Sequence, residues 1–388
     1  MIIDYDQIVK LIESNLEVKV RQEDLNSYKL RMGSIVTTFV PEVSLYAKGE
    51  DSQLSKINKN PSAGVVANIN LFNGFRDVEK NKVNNLNYET NNLEFKKSYN
   101  EQVFKAKKFY FDALKIIEDI KILSEHEKIN KSNRDLILKK VSSGLSPKSE
   151  ELIFKKIELE LRELKVKKDN ELKIVYSHLK NIFALDKNEK IEVAGEIDIA
   201  KFIYTPNPKK IDLAIVESNE TLLNAEKKVS GLWRMPRVNL YAEKSLTNHI
   251  NGEYLEEDDG EDQVVGLKVT LPIFSEKNVE SIEDQIKSTE ARASTLRKKN
   301  QIRELESQEE QTIIQLEHLK NMIEISKSKV ELSKEIMNKT YYEFRLGLKE
   351  ALSLNEASAE YLDAREDLIE HQIDYILNVE ETKINILE

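Results

Sequence analysis

The sequence predicts a mainly α chain with a small β portion, built as two structural repeats that each join a β-hairpin to a long helical hairpin. Three observations carry this. Two short segments recur: PEVSLYAK at 41–48 answers PRVNLYAE at 236–243, and GVVANINLF at 64–72 answers GLKVTLPIF at 266–274. VSSGLS around Gly144 then answers FRLGLK around Gly347, and the step from the strand-ending phenylalanine to that glycine is 72 residues in one copy and 73 in the other. Such constant spacing marks an internal repeat of about 190 residues. Finally, the hydrophobic period changes within each copy from two to about 3.5, as it does where strand gives way to packed helix.

The first repeat covers 1–190, with a helix expected at 4–31, strands at 41–48 and 64–72, and helices at 76–141 and 149–185. The second covers 208–388, with a helix at 208–231, strands at 236–247 and 264–274, and helices at 277–343 and 350–387. LIESNLEV and IVESNETL open the leading helix of each copy. Residues 191–207 break the helical pattern and form a connector, with a short strand expected at 197–203.

In the strands, Val43, Leu45 and Ala47 alternate with Ser44, Tyr46 and Lys48. Val65, Ala67, Ile69 and Leu71 oppose Val66, Asn68 and Asn70, and Val265, Leu267, Val269, Leu271 and Ile273 oppose Lys268 and Thr270. One apolar and one polar face describes a half-buried strand, or one with lipid outside and water inside. The long helices have almost no breakers, and at 1.5 Å per residue each is roughly 100 Å long. Their apolar stripe is thin. Leu316, Ile323, Val330, Met337 and Phe344 recur every seven residues, interleaved with Leu319, Ser326, Ser333 and Thr340. Val103, Tyr110 and Ile117 with Ala106, Ala113 and Ile120 repeat the pattern in the first copy, and Leu354, Ala357, Tyr361, Ala364, Leu368 and Tyr375 continue it after Gly347. Small residues between heptad positions indicate closely packed helices.

Composition narrows the function classes. Charged residues make up 33% with only 11 glycines and 7 prolines, the profile of long helices with solvated faces. A net charge of −10 with interspersed signs argues against a nucleic-acid partner. No cysteine is present, which excludes disulfides, thiolate metal sites and a lipidated cysteine within the sequence. The histidines (126, 178, 249, 318 and 371) are isolated, so no metal site is expected. Phosphate-loop, nucleophile-elbow and H-E-x-x-H motifs are missing, so neither an enzyme nor a cofactor is expected. No apolar run reaches the 18 residues of a membrane helix. MIIDYDQIVKLIESN has acidic residues where a signal peptide needs a positive flank, so either a leader has been removed or the protein is not exported.

Four strands cannot close a barrel, and an open edge inside a bilayer leaves backbone groups unpaired at several kcal/mol each. If the strands cross a membrane, oligomerisation completes the sheet, and three chains would supply about twelve strands. Narrow seams on the helices, with charged faces elsewhere, suit a hollow tube better than a solid bundle.

A short helix, a strand beginning at a proline, a long loop, a strand ending in LF or IF, a very long helix and a G-L turn follow one another twice. In this order the motifs PxVxLYA, LF/IF and F-R-L-G-L resemble a TolC-like outer-membrane efflux protein over nearly the whole chain. The resemblance implies a homotrimer whose 12-stranded β-barrel, in the outer membrane of a Gram-negative bacterium, is continuous with an α-helical barrel crossing the periplasm. It implies three partners: outer-membrane lipid, a periplasmic adaptor (membrane fusion) protein, and an inner-membrane transporter. The chain would be the exit duct of a tripartite efflux pump or type I secretion system. By the same resemblance, Val65, Ala67, Ile69, Leu71, Val265, Leu267, Val269 and Leu271 face lipid. The tips Ser143, Gly144, Leu145, Ser146 and Pro147, and Arg345, Leu346, Gly347 and Leu348, match the turns where family adaptors dock. Gly144 and Gly347 also supply the left-handed backbone that any such turn needs.

Lys349, Ser353 and Glu356 match the family's periplasmic gate. Ser353 replaces one of its usual carboxylates, and Glu356 has the alternative reading of a solvated helix charge. The acidic run EYLEEDDGED at 253–262 reads as a solvated outer loop. Trp233, Tyr241 and Tyr46 suit either an interfacial aromatic girdle or packing between helix and hairpin. The rival readings are a soluble coiled-coil scaffold and a periplasmic adaptor, both without channel activity. Substrate is not encoded legibly: drugs, metal ions and proteins all leave through similar tunnels.

Overall fold

The computed structural model describes residues 1–32, 40–48, 62–206, 210–245, 263–273 and 279–387. The chain divides into two compact units, one of Met1–Gln22, Phe95–Asp212 and Ile302–Glu388, the other of Glu23–Glu94 and Leu213–Gln301.

In the first unit, β1 (Ile2–Ile3) pairs in parallel with β4 (Glu192–Val193). The expected helix over 4–31 is broken. It consists of α1 (Ile8–Leu11), a 3₁₀ turn at Ile12–Ser14, and α2 (Leu16–Met32). Asn15 makes the break, because its Oδ1 accepts from Val18 N at 3.0 Å to cap α2 while its Nδ2 donates to the Ile182 carbonyl at 2.7 Å. The strand expected at 197–203 is also absent. Asp198 Oδ1 accepts from Ala200 N at 3.0 Å and holds a 3₁₀ turn at Ile199–Lys201 instead.

The long helices are α3 (Arg76–Ser142), α4 (Lys148–Ile182), α6 (Val279–Arg345) and α7 (Ala351–Thr382). α4 stops three residues before its expected end because Ala184 takes a left-handed φ of 51°, and Leu185 N closes back on the Lys180 carbonyl. α7 likewise gives way to a 3₁₀ turn at Lys383–Asn385. Two apolar clusters hold these helices. One joins Ile3, Ile8 and Ile12 to Phe111 of α3, Ile323 of α6 and Ile376 of α7. The other joins Ile137, Phe154, Phe344 and Leu354, one residue from each of the four long helices. The heptad seam is therefore filled where Leu316, Ile323 and Phe344 are buried, and Ser326 and Ser333 are buried between them.

The second unit contains α5 from Leu213 to its end (Ile211–Gly231) and four strands. β2 (Glu42–Lys48), β3 (Ser62–Asn73), β5 (Arg237–Ser245) and β6 (Gln263–Thr270) form one sheet in the order β2-β3-β5-β6. All three ladders are antiparallel, so the two hairpins lie side by side through β3 and β5. β6 ends at Thr270, short of the expected 274, and Leu271 lies beyond the ladder. Pro272 beside it and Pro236 before β5 both lack the N–H that another rung would need. Residues 246–247, Phe274 and the acidic run at 253–262 lie outside the described residues.

Candidate functional site: the sheet face and the hairpin tips

Antiparallel partners project side chains to the same face, so the register decides what each face presents. Val43, Leu45 and Ala47 pair with Ala67, Val65 and Ala63. Val65, Ala67 and Ile69 pair in turn with Lys244, Ala242 and Leu240, and Val238, Leu240 and Ala242 pair with Val269, Leu267 and Val265. Every strand thus contributes its apolar set to one face, with Lys244 and Gln263 meeting at its end. That face is not a core: Leu45 is 80% exposed, Val265 73% and Leu267 65%. The opposite face carries Ser44, Asn68, Asn239 and Lys268. Val238, Leu240 and Ala242 share this face, and their alternation in PRVNLYAE is a usable signal for it.

Leu71 sits at an irregularity of the ladder. The register steps from Asn70–Asn239 to Phe72–Val238, which makes Leu71 the extra residue of a β-bulge. Leu71 and Leu271 thus both fall outside the regular pairing that aligns Val65, Ala67, Ile69, Val265, Leu267 and Val269.

On the polar face, Tyr46 sits directly across from Gly64, and Tyr241 across from Gly266. Each ring lies over its glycine so closely that an added Cβ would come within 2.8 Å of the Tyr46 ring or 2.7 Å of the Tyr241 ring. These two tyrosines pack on the sheet itself. Trp233 is buried just after α5, with the Arg234 guanidinium 4.6 Å from its ring centroid.

The tips of the helical hairpins lie in the first unit. Gly144 has φ of 71° and Gly347 78°, and open space surrounds both. Leu145 N donates to the Lys140 carbonyl at 2.8 Å and Gly144 N to Val141 at 3.0 Å; Leu348 N to Glu343 at 2.9 Å and Gly347 N to Phe344 at 3.1 Å repeat the pattern. Both ends are the same Schellman turn. In that motif the residue after the glycine often packs back on the helix. Here Leu145 is 78% exposed, Leu348 72% and Leu346 76%, so these leucines contribute nothing to the fold of the chain alone. Ser143 Oγ donates to the Lys139 carbonyl, and Pro147 stands at the N-cap of α4 with Ser146 half-buried before it. Lys140 joins the two tips: its Nζ donates to the Phe344 carbonyl at 2.7 Å and lies 4.2 Å over the Phe344 ring.

Beyond Gly347, Lys349 precedes α7, while Ser353 and Glu356 lie three residues apart on it. Lys349 and Glu356 are exposed and Ser353 half-buried; no ion pair involves them among the described residues.

One polar site went unpredicted. Glu380, 2% exposed, accepts from Lys107 at 2.5 Å and from Tyr5 at 2.7 Å, and Lys383 pairs with it as well. Burial alone would push its carboxyl up, but the Lys107 charge and the three hydrogen bonds hold it below the usual carboxylate range. The Tyr5 hydroxyl is pushed up by burial and by Glu380, and Tyr110 beside it is pushed up to about 12 by burial. No sequence signal flagged it, because the residues come from segments 273 and 375 positions apart.

Residues 210–381 match the family described as outer membrane efflux protein. The chain resembles these efflux proteins. No curated protein matches its sequence. In fold it is similar to CusC, described in work on folding and transmembrane channel formation, with a TM-score of 0.82 at 13% identity, covering 98% of this chain and 92% of that one. It is similar to the Campylobacter jejuni CmeC outer membrane channel (TM-score 0.78, 12% identity, 98% and 85% covered). The Neisseria gonorrhoeae MtrE outer membrane channel in its open state is a third such structure (TM-score 0.77, 14% identity, 97% and 88% covered). The mainly helical chain with its small sheet therefore has the fold of the outer membrane efflux channels.

Proposed function

We propose that the chain is one subunit of a trimeric channel-tunnel in a Gram-negative outer membrane, acting as the exit duct of a tripartite efflux pump or type I secretion system. The observation that carries this reading is the sheet. Its four strands align one exposed apolar face against one polar face, and β2 and β6 each keep an edge with no partner among the described strands. Lipid satisfies the apolar face, a water-filled lumen satisfies the other, and pairing β6 of one copy with β2 of the next removes the edges. Three copies then give a barrel of about twelve strands.

On this reading, 1–190 and 208–388 are equivalent repeats around the connector 191–207. The exposed leucines at Leu145, Leu346 and Leu348 receive a periplasmic adaptor, which links the duct to an inner-membrane transporter. Lys349, Ser353 and Glu356 line the periplasmic entrance, where three symmetry-related copies of Glu356 would form a carboxylate ring selecting cations.

Protein extracted in detergent should run as a heat-labile trimer and conduct in planar bilayers. A monomer that stays soluble without detergent and carries no current overturns the reading. Replacing Lys349 and Glu356 together with alanine should raise conductance; unchanged conductance removes the gate assignment while leaving the channel.

A further inference from the structure

A groove of about 920 Å³ opens in the first unit between the N-terminal segment, α3 and the turn after α7. Its size is that of a small-molecule site. Its walls are built rather than incidental. Tyr99 Oη donates to the Val9 carbonyl at 3.3 Å and Asn100 Nδ2 to the Ile384 carbonyl at 3.2 Å, while just behind the lining Asp212 N donates to Asn385 Oδ1 at 2.8 Å. Val9, Val103, Phe104, Ile211, Ile384 and Ile386 give it a mainly apolar lining.

The charges around that lining run against the rest of the chain. The whole sequence carries −10, yet the groove is lined by Lys19, Lys107 and Lys383 against Glu13 and Glu380, with the already partnered Lys96 beside them. At its floor the single Glu380 carboxylate is matched by both Lys107 and Lys383, which leaves one positive charge over. A small hydrophilic anion would use the lysines and waste the apolar walls; a neutral hydrocarbon would do the reverse. We propose that this groove binds a single-chain anionic amphiphile, a long-chain alkyl carboxylate, with its head at Lys19 and Lys383 and its tail along Val9, Val103 and Phe104. The proposal does not rest on channel activity.

The probe is dodecanoate carrying a photoreactive diazirine on its tail, added to the full chain in a neutral detergent, with adducts mapped by mass spectrometry. Adducts are expected on peptides holding Val9, Val103 or Phe104, and unmodified dodecanoate should compete at least tenfold better than dodecanol. Lys19 is exposed and outside the buried ion pair, so Lys19→Glu should fold normally and cut labelling at least fivefold, while Lys19→Arg should retain it. Equal competition by dodecanol, or labelling indifferent to Lys19→Glu, overturns the anionic ligand. Adducts confined to the apolar sheet face, or none at all, overturn the site. Planar-bilayer current plays no part in the readout, so this proposal and the channel reading fail separately.

Discussion

The sheet of the second unit and the helical clusters of the first treat apolar side chains in opposite ways. Around Ile8, Phe111 and Ile376 the chain buries its apolar groups almost completely and even encloses a charged pair. Across β2, β3, β5 and β6 it lines them up and leaves them uncovered. The first region fills itself within one chain, whereas the second leaves its apolar side chains exposed, and on the proposed reading lipid covers them. What an exposed apolar residue means thus depends on its company: scattered ones are ordinary, while an aligned face marks an interface.

The sharpest way to break this comparison is at the enclosed pair. Lys107→Met strips the principal cation from the nearly inaccessible Glu380 and should cost about 3–5 kcal/mol, read as a fall in urea midpoint at unchanged slope. A cost near zero would mean that the pair is not closed from water.

Leu267→Arg tests the opposite region. It should leave the helical part unchanged in urea but cost about 2–4 kcal/mol in folding into lipid vesicles, as a cation on a lipid-facing strand does. Lys268→Leu on the other face should not show this penalty. Equal effects at 267 and 268 would end the distinction between the faces.

Acid should discriminate the regions too. The folded pKa of Glu380 is lowered, so its stabilisation is present above the unfolded value of about 4.3 and is lost as pH falls through the folded value. Glu380→Gln should flatten that acid limb in a pH series of thermal midpoints, and Lys268→Leu should leave it alone.

Smaller effects sharpen the picture within each region. Gly266→Ala presses a Cβ onto the Tyr241 ring and should cost about 1–3 kcal/mol, relieved when Tyr241→Ala is added, which a double-mutant cycle measures. Gly144→Ala meets no neighbour and pays only for its left-handed backbone, about 1 kcal/mol by thermal midpoint.

Local rules let the sequence by itself determine the long helices, the two Schellman turns and most of the alternation in β2, β3 and β6. Heptad spacing, a glycine at each helix end and period two are all set by neighbouring residues. The same rules also misled. They ran one helix through Asn15, whose capping bond to Val18 stops it, and they carried the strand pattern through Leu71, which is a bulge. Only the tertiary structure decided that all four apolar sets share one face, since that rests on register between strands as far apart as Val65 and Lys244. It alone brought Tyr5 and Lys107 to Glu380, because a buried charge finds its partners by packing and not by sequence distance.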